Sequence, residues 1–288
     1  MKFYKDDINQ SMDPNILPTA ITKVVSDVSK KPIASFGELI SLWLFGKSIG
    51  KLEAQKQIAS EKELSAWEAE KPWFQKAQEQ KFIREYSNLG AILVESQPLL
   101  QSEVNHVEKD NDVFYGLLEH AKDISDSEMQ SLLARIIAGE YNSPKTYSMS
   151  TLHVLKSIDS KTLSNFADVL SIALVNVGIF KDSFSDSVDM DKLGVSYTSF
   201  LDLQNIGLIS SNESKITTEG EMIDVYANKK ICFIPKNETD KKIVIPDFYS
   251  LTRAGREIGQ HLKIKENSNF IDWLKQKYSG RNFIIEVK

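Results

Sequence analysis

The sequence predicts a mainly α protein, in which a helical N-terminal and central region is joined to a C-terminal α+β domain. Three observations predict it. Apolar residues recur at three- and four-residue spacing through most of residues 73–177. Capping residues and glycine stops recur at the ends of those runs. From about residue 189 the texture changes to short extended apolar runs separated by turn residues.

Composition bounds what the chain can be. Its 288 residues suffice for two or three domains with a substantial core. The formal charge is −5 and unevenly spread. Residues 1–110 hold 14 basic and 16 acidic side chains, residues 111–189 hold 6 and 11, and residues 190–288 hold 15 and 13. The middle is therefore a poor nucleic-acid surface and the C-terminal part only faintly basic, whereas phosphate neutralisation needs a clear basic stripe. Cys232 is the only cysteine, which excludes an internal disulfide framework and a thiolate-rich metal site. A reducing cytoplasm is the simplest compartment. The N-terminus, MKFYKDDINQSMDPN, has no apolar signal core, so secretion is not expected.

In chain order, residues 1–32 read as a flexible arm carrying Pro14, Pro18 and Pro32 around one short helical stretch. Residues 33–108 read as a long helical hairpin and association region. Within it the uncharged run Leu39 to Gly46 is eight residues. A bilayer span needs about 20 apolar residues, so no transmembrane segment is expected. Leu39, Ile40, Trp43, Leu44 and Phe45 are then a buried core, an association face or a membrane-surface patch. Residues 51–71 are rich in Ala, Glu, Lys and Gln, strong helix formers with a thin apolar stripe. A second long helix from Trp73 carries Phe74, Ala77, Phe82, Tyr86, Leu89 and Leu93 and should end near Pro98.

Residues 109–180 read as a helical core domain. Asp110 and Asp112 can cap a helix with Phe114, Leu117 and Leu118 inward. Ser125 with Glu128 spells a capping box for a helix with Met129, Leu132, Leu133, Ile136 and Ile137 on one face, ending at Gly139. Ser148 can cap a short helix. A longer one after Asp159-Ser160 should bury Leu163, Phe166, Leu170, Leu174 and Val177 and stop at Gly178.

Residues 181–288 read as the α+β domain. A helix capped by Ser196 should stop at Gly207. EMIDVYA (221–227) and KICFIP (230–235) form a candidate hairpin, and KKIVIPDFY (241–249) is a further strand. Thr252 can cap the helix that follows. NFIDWLKQKY (269–278) reads as a helix and NFIIEV (282–287) as the last strand.

Two blocks carry resemblances. DNDVFYGLLEHAKDISDSEMQSLLARIIAGEYNSPKTYSMSTLHVLKSIDS, residues 110–160, resembles an uncharacterised bacterial family of the domain-of-unknown-function 2806 type. Its members share an acidic start, an MQ pair, a GE-terminated helix, a P-x-x-S turn and T-L-x-x-L. Leu132-Leu133 stands where the pattern has Leu-Trp. Related helical blocks occur in proteins labelled abortive-infection alpha. The resemblance implies a bacterial origin and a role in antiphage defence, and it supplies no catalytic group to carry over. The second block, GVSYTSFLDLQNIGLIS with YSLTRAGREIGQHL, resembles winged-helix proteins, so the C-terminal α+β domain is read as winged-helix-like.

No chemistry is visible. Among His106, His120, His153 and His261 there is no H-x-x-x-H or H-E-x-x-H pair. There is no Walker loop, no G-x-G-x-x-G and no G-x-S-x-G elbow. Catalytic residues, metal ligands and cofactors are accordingly assigned as none. The sequence reading is a non-enzymatic interaction or scaffold protein, self-associating or bound to a protein partner. The alternative is a winged-helix DNA-binding regulator. Its contacts would be Tyr197, Thr198 and Asn205 on the recognition helix, with Lys229, Lys230, Lys241 and Lys242 on phosphate. A second alternative is a peripheral membrane effector using Leu39–Phe45.

Overall fold

A computed structural model describes residues 71–101, 112–237, 239 and 241–288. The arm at 1–32, most of the association region at 33–108 and the Leu39, Ile40, Trp43, Leu44, Phe45 surface lie outside the described residues, as does Asp110. By its contacts the chain forms two units. One is Met1–Ser125 with Leu133–Pro144, and the other is Asp126–Leu132 with Lys145–Lys288.

The first unit is helical. Helix α1 (Lys71–Ser96) runs into a 3-10 turn, Gln97–Leu99, at Pro98, which lacks the amide needed to continue. Its buried positions are Asn88, Leu89, Ile92 and Ser96, so the inward stripe passes through Ile92 and leaves Leu93 half-exposed. Helix α2 (Asp112–Ala121) buries Phe114, Leu117, Leu118 and Ala121. Helix α3 (Ser127–Asn142) gives the unit its second segment, from Leu133 on. Tyr141 packs on Phe114 at 6.2 Å between ring centroids. The Asn142 side chain donates to Leu99 O at 2.8 Å and accepts from the Gln101 amide at 3.0 Å.

Two local expectations for α3 are corrected. Its cap is Asp126, whose Oδ1 accepts the amides of Glu128 and Met129 at 3.1 and 3.0 Å, so the capping box on Ser125 does not form. Gly139 lies inside the helix, which continues to Asn142.

The second unit corrects the fold class. Helix is 51% and strand 22% of the described residues, with antiparallel sheets of four and three strands, so the protein is α+β and not mainly α. Helices α4 (Met149–Leu155) and α5 (Ser160–Leu170) are capped by Ser148 and Asp159. The helix expected to reach Val177 ends at Leu170. Leu174 is in strand β1 (Ala173–Leu174), and Gly178 opens β2 (Gly178–Phe180) at φ +104°. Leu170, Leu174 and Val177 fit a helical stripe, but they equally line a tight hairpin that a helical period cannot distinguish.

Helix α6 (Ser187–Leu193) and helix α7 (Tyr197–Ile206) follow. Strand β3 (Ile209–Glu219) pairs with β6 (Lys242–Leu251), and β6 also pairs with β2, giving the order β1-β2-β6-β3. Between β3 and β6 the chain inserts β4 (Met222–Tyr226) and β5 (Lys229–Pro235). Their two-residue turn is Ala227-Asn228, both at positive φ (46° and 66°), the geometry whose twist suits a hairpin. Strand β7 (Phe283–Val287) joins β5 to complete the second sheet, β4-β5-β7.

Helix α8 (Arg253–Gly259) is capped by Thr252, and α9 (Phe270–Lys277) precedes β7. The first sheet buries Phe180, Ile209, Ile245 and Phe248. The second buries Tyr226, Ile231, Phe233 and Phe283, with Tyr226 and Phe270 ring centroids 4.9 Å apart.

Candidate protein-interaction surface

Helix α7 is set by its two ends. The Ser196 hydroxyl accepts the Ser199 amide at 3.3 Å, and Gly207 leaves the helix in the left-handed region at φ +90°. Phe200 and Leu203 are buried at 1% exposure each, which fixes the face turned inward. Four-residue spacing then places Tyr197 and Leu201 together on the outer side, and Thr198 with Asp202 beside them. Tyr197 and Leu201 are 48% and 38% exposed, and Val188 on α6 is 72% exposed. Phe184, which precedes α6, packs on α7: its ring lies 6.0 Å from Tyr197 and 4.3 Å from Phe200. Tyr197 and Leu201 thus form an exposed aromatic–aliphatic pair on the outer side of α7.

The chain through α6 and α7 is acidic. Residues 182–206 hold five aspartates and one lysine, Lys192. Asp186, Asp191 and Asp202 are exposed, and Asp186 caps α6 by accepting the Asp189 amide at 2.7 Å. Neighbouring lysines are engaged. Lys181 pairs with Glu213 at 2.7 Å, and that hydrogen bond holds its ammonium above the ordinary lysine range. Lys277 pairs with Asp189 at 2.6 Å and is pushed up for the same reason. Lys192 donates to the Gln276 carboxamide at 3.1 Å.

The residues singled out for DNA contact are distributed unevenly. Tyr197, Thr198 and Asn205 are all exposed on α7. The lysines form two separate pairs. Lys229 and Lys230 start β5 at its turn with β4, and Lys229 is ion-paired with Glu266. Lys242 lies opposite Glu219 at the far end of β3–β6, and its carbonyl accepts the Asn282 amide nitrogen at 2.6 Å. Asn282 in turn accepts the amide of Lys236, next to the last residue of β5, at 2.9 Å. The two lysine pairs are therefore separated by the length of β5, about 20 Å at roughly 3.3 Å per residue. Lys229 and Lys230 stand at the end of an inserted hairpin and not at the end of the β3–β6 hairpin.

Sequence reasoning missed Phe184, Val188 and Leu201. Val188 sits in SDSVDMD, where the surrounding aspartates and serines read as a turn. The only available hint was Asp186 three residues before Asp189, a capping spacing.

A match to the family described as protein of unknown function (DUF2806) covers residues 74–275. The chain belongs to that family. The DUF2806 match begins within α1 and ends within α9, so it contains α6, α7 and all four lysines. Strand β7 lies beyond it. No curated protein and no solved structure is significantly similar to the chain. Among the described residues no helix is long and apolar enough to cross a membrane, and no cluster of three metal-ligating side chains occurs.

Proposed function

We propose that this DUF2806 protein is a non-enzymatic interaction or scaffold protein, working through the outer face of α7, within a bacterial antiphage defence system. The observation that carries the interaction reading is the outer face of α7. In a winged helix this helix would enter the major groove, and Arg and Lys make the commonest base contacts there. Here it carries neither, and offers Tyr197 and Leu201 beside Asp202. Exposed aromatic and aliphatic side chains in a connected patch are the usual mark of a protein-docking surface. The winged-helix reading is supported by the antiparallel β3–β6 pair that follows α7. The defence setting rests on the resemblance of residues 110–160.

The test is size-exclusion chromatography with light scattering, run across concentration and with the products of neighbouring genes. A shift to larger mass that Tyr197→Ala with Leu201→Ala abolishes is expected. A chain that stays monomeric under every condition overturns the reading.

A second reading, DNA contact, is favoured by Lys241 and Lys242 at the end of the β3–β6 hairpin, where a wing would meet phosphate. It requires retention on duplex DNA at low salt. Charge reversal at both lysines should then flatten the salt dependence by about two counterions.

A further inference from the structure

We infer that Arg135, on α3, is the receptor for a carboxylate brought by a ligand or a partner. The inference goes beyond the α7 reading and does not depend on it. From Leu133 to Asn142 the helix is buried except at Arg135, Gly139 and Asn142, which are half-exposed. Their four- and three-residue spacing makes them one narrow strip along α3. Arg135 is the only charge on that strip: Gly139 has no side chain, and Asn142 is engaged with Leu99 and Gln101. Among the described residues Arg135 has no ion pair, and its Nε–H is shut off from solvent with no hydrogen-bond acceptor. Buried donors are normally satisfied, and leaving one open costs stability. Glu85, Ser183 and Trp273 also carry a buried atom without a partner, but none of them is a cation. Because Arg135 as a whole is half-exposed, an acceptor can arrive from solvent. A planar pair of oxygens satisfies Nε–H and a neighbouring Nη–H together, and a carboxylate supplies it in one bidentate contact. One guanidinium also balances a carboxylate's single charge. A phosphate dianion would be left half neutralised, since neither Gly139 nor Asn142 brings a second cation.

The readout is the side-chain Nε–H resonance of Arg135 in the full chain, recorded at mildly acidic pH after nitrogen-15 labelling of arginine. The chain has five arginines, and the other four, Arg84, Arg253, Arg256 and Arg281, are exposed and serve as controls. Loss of one signal in Arg135→Lys assigns it, and an otherwise unchanged amide fingerprint shows that the variant folds. The probes are acetate, a blocked glutamate peptide and inorganic phosphate, each exchanged for chloride at fixed ionic strength. Acetate or the peptide should move the Arg135 signal along a saturating curve, while the controls drift weakly and together. A stronger response to the peptide supports the inference and names a protein side chain as the source. A response to acetate alone supports it and names a small free acid. Saturation by phosphate and by neither carboxylate overturns it. A signal that moves no more than the controls with every probe marks a recess filled by water and overturns it as well. The titration itself uses the native chain, so it decides even if Arg135→Lys does not fold; the four controls are then assigned by their own lysine variants.

Discussion

Two buried or half-buried carboxylates do structural work that single substitutions can expose. Asp224, fully buried on β4, accepts the amide of Val177 at 2.8 Å, the amide of Asn176 at 2.9 Å and the Asn176 side chain at 3.0 Å. It thereby ties the second sheet to the β1–β2 turn. Asp224→Ala leaves those donors without an acceptor and should cost about 3 kcal/mol, read as a lower urea midpoint. Asp224→Asn, which retains one acceptor oxygen, should cost less. Glu257 on α8 accepts from the Ser148 amide at 3.0 Å, from Thr151 Oγ1 and from Arg253 Nε at 2.6 Å. Burial alone would push its carboxyl up, but the bonds from Thr151, Arg253 and Ser148 outweigh burial and hold it below the ordinary glutamate range. A carboxyl more acidic in the folded than the unfolded state stabilises wherever it is ionised. That contribution is complete above the unfolded-state value, about 4.3, and is lost as pH falls through the lower folded value. Glu257→Gln should therefore destabilise by about 1–2 kcal/mol at neutral pH. It should also flatten the acid limb of a stability-against-pH curve measured by urea unfolding.

At the scale of elements, helix ends and one hairpin were legible in the sequence because each depends on a local residue choice. Ser148, Ser196 and Thr252 cap as their spacing predicts, and Gly207 stops α7. The β4–β5 hairpin was legible from two short apolar runs, though its turn falls on Ala227-Asn228, one residue earlier than expected. Only the opening of strand β3, at Leu208-Ile209, was legible; the rest was hidden because SSNESK has no apolar alternation, and its register is supplied by β6, a partner distant in sequence. The exposed face of α7 was hidden for a similar reason: which side of the helix faces out depends on what covers Phe200 and Leu203. Glycines give the sharpest test at this scale. A Cβ on Gly255 would lie 2.0 Å from the Leu208 carbonyl oxygen, so α8 could not seat against the start of β3. Gly255→Ala should cost about 2–3 kcal/mol. Gly90, inside α1, has nothing within 4 Å of that position. Gly90→Ala should stabilise by about 0.5–1 kcal/mol, and thermal unfolding of the pair should move in opposite directions.

For the molecule as a whole, the sequence conveyed the helical first part and the late strands but underweighted the sheets. The first 70 residues read as arm and helix, and their weight tipped the reading toward mainly α. Long-range pairing sets the balance actually found. The second sheet is the clearest case, because β4 and β5 sit between β3 and β6, while β7 returns from residue 283 to complete it. Removing residues 280–288 should uncover the β5 edge at Ile231, Cys232 and Phe233 and drive the shortened chain into the insoluble fraction, whereas the intact chain stays in the supernatant. The same connectivity has a consequence in time. On the ribosome the β4–β5 ribbon emerges dozens of codons before its third strand, at a synthesis rate of about 5–20 residues per second. For those seconds it is an apolar two-stranded ribbon with an open side, the stage of biogenesis at which a chaperone would have most to protect.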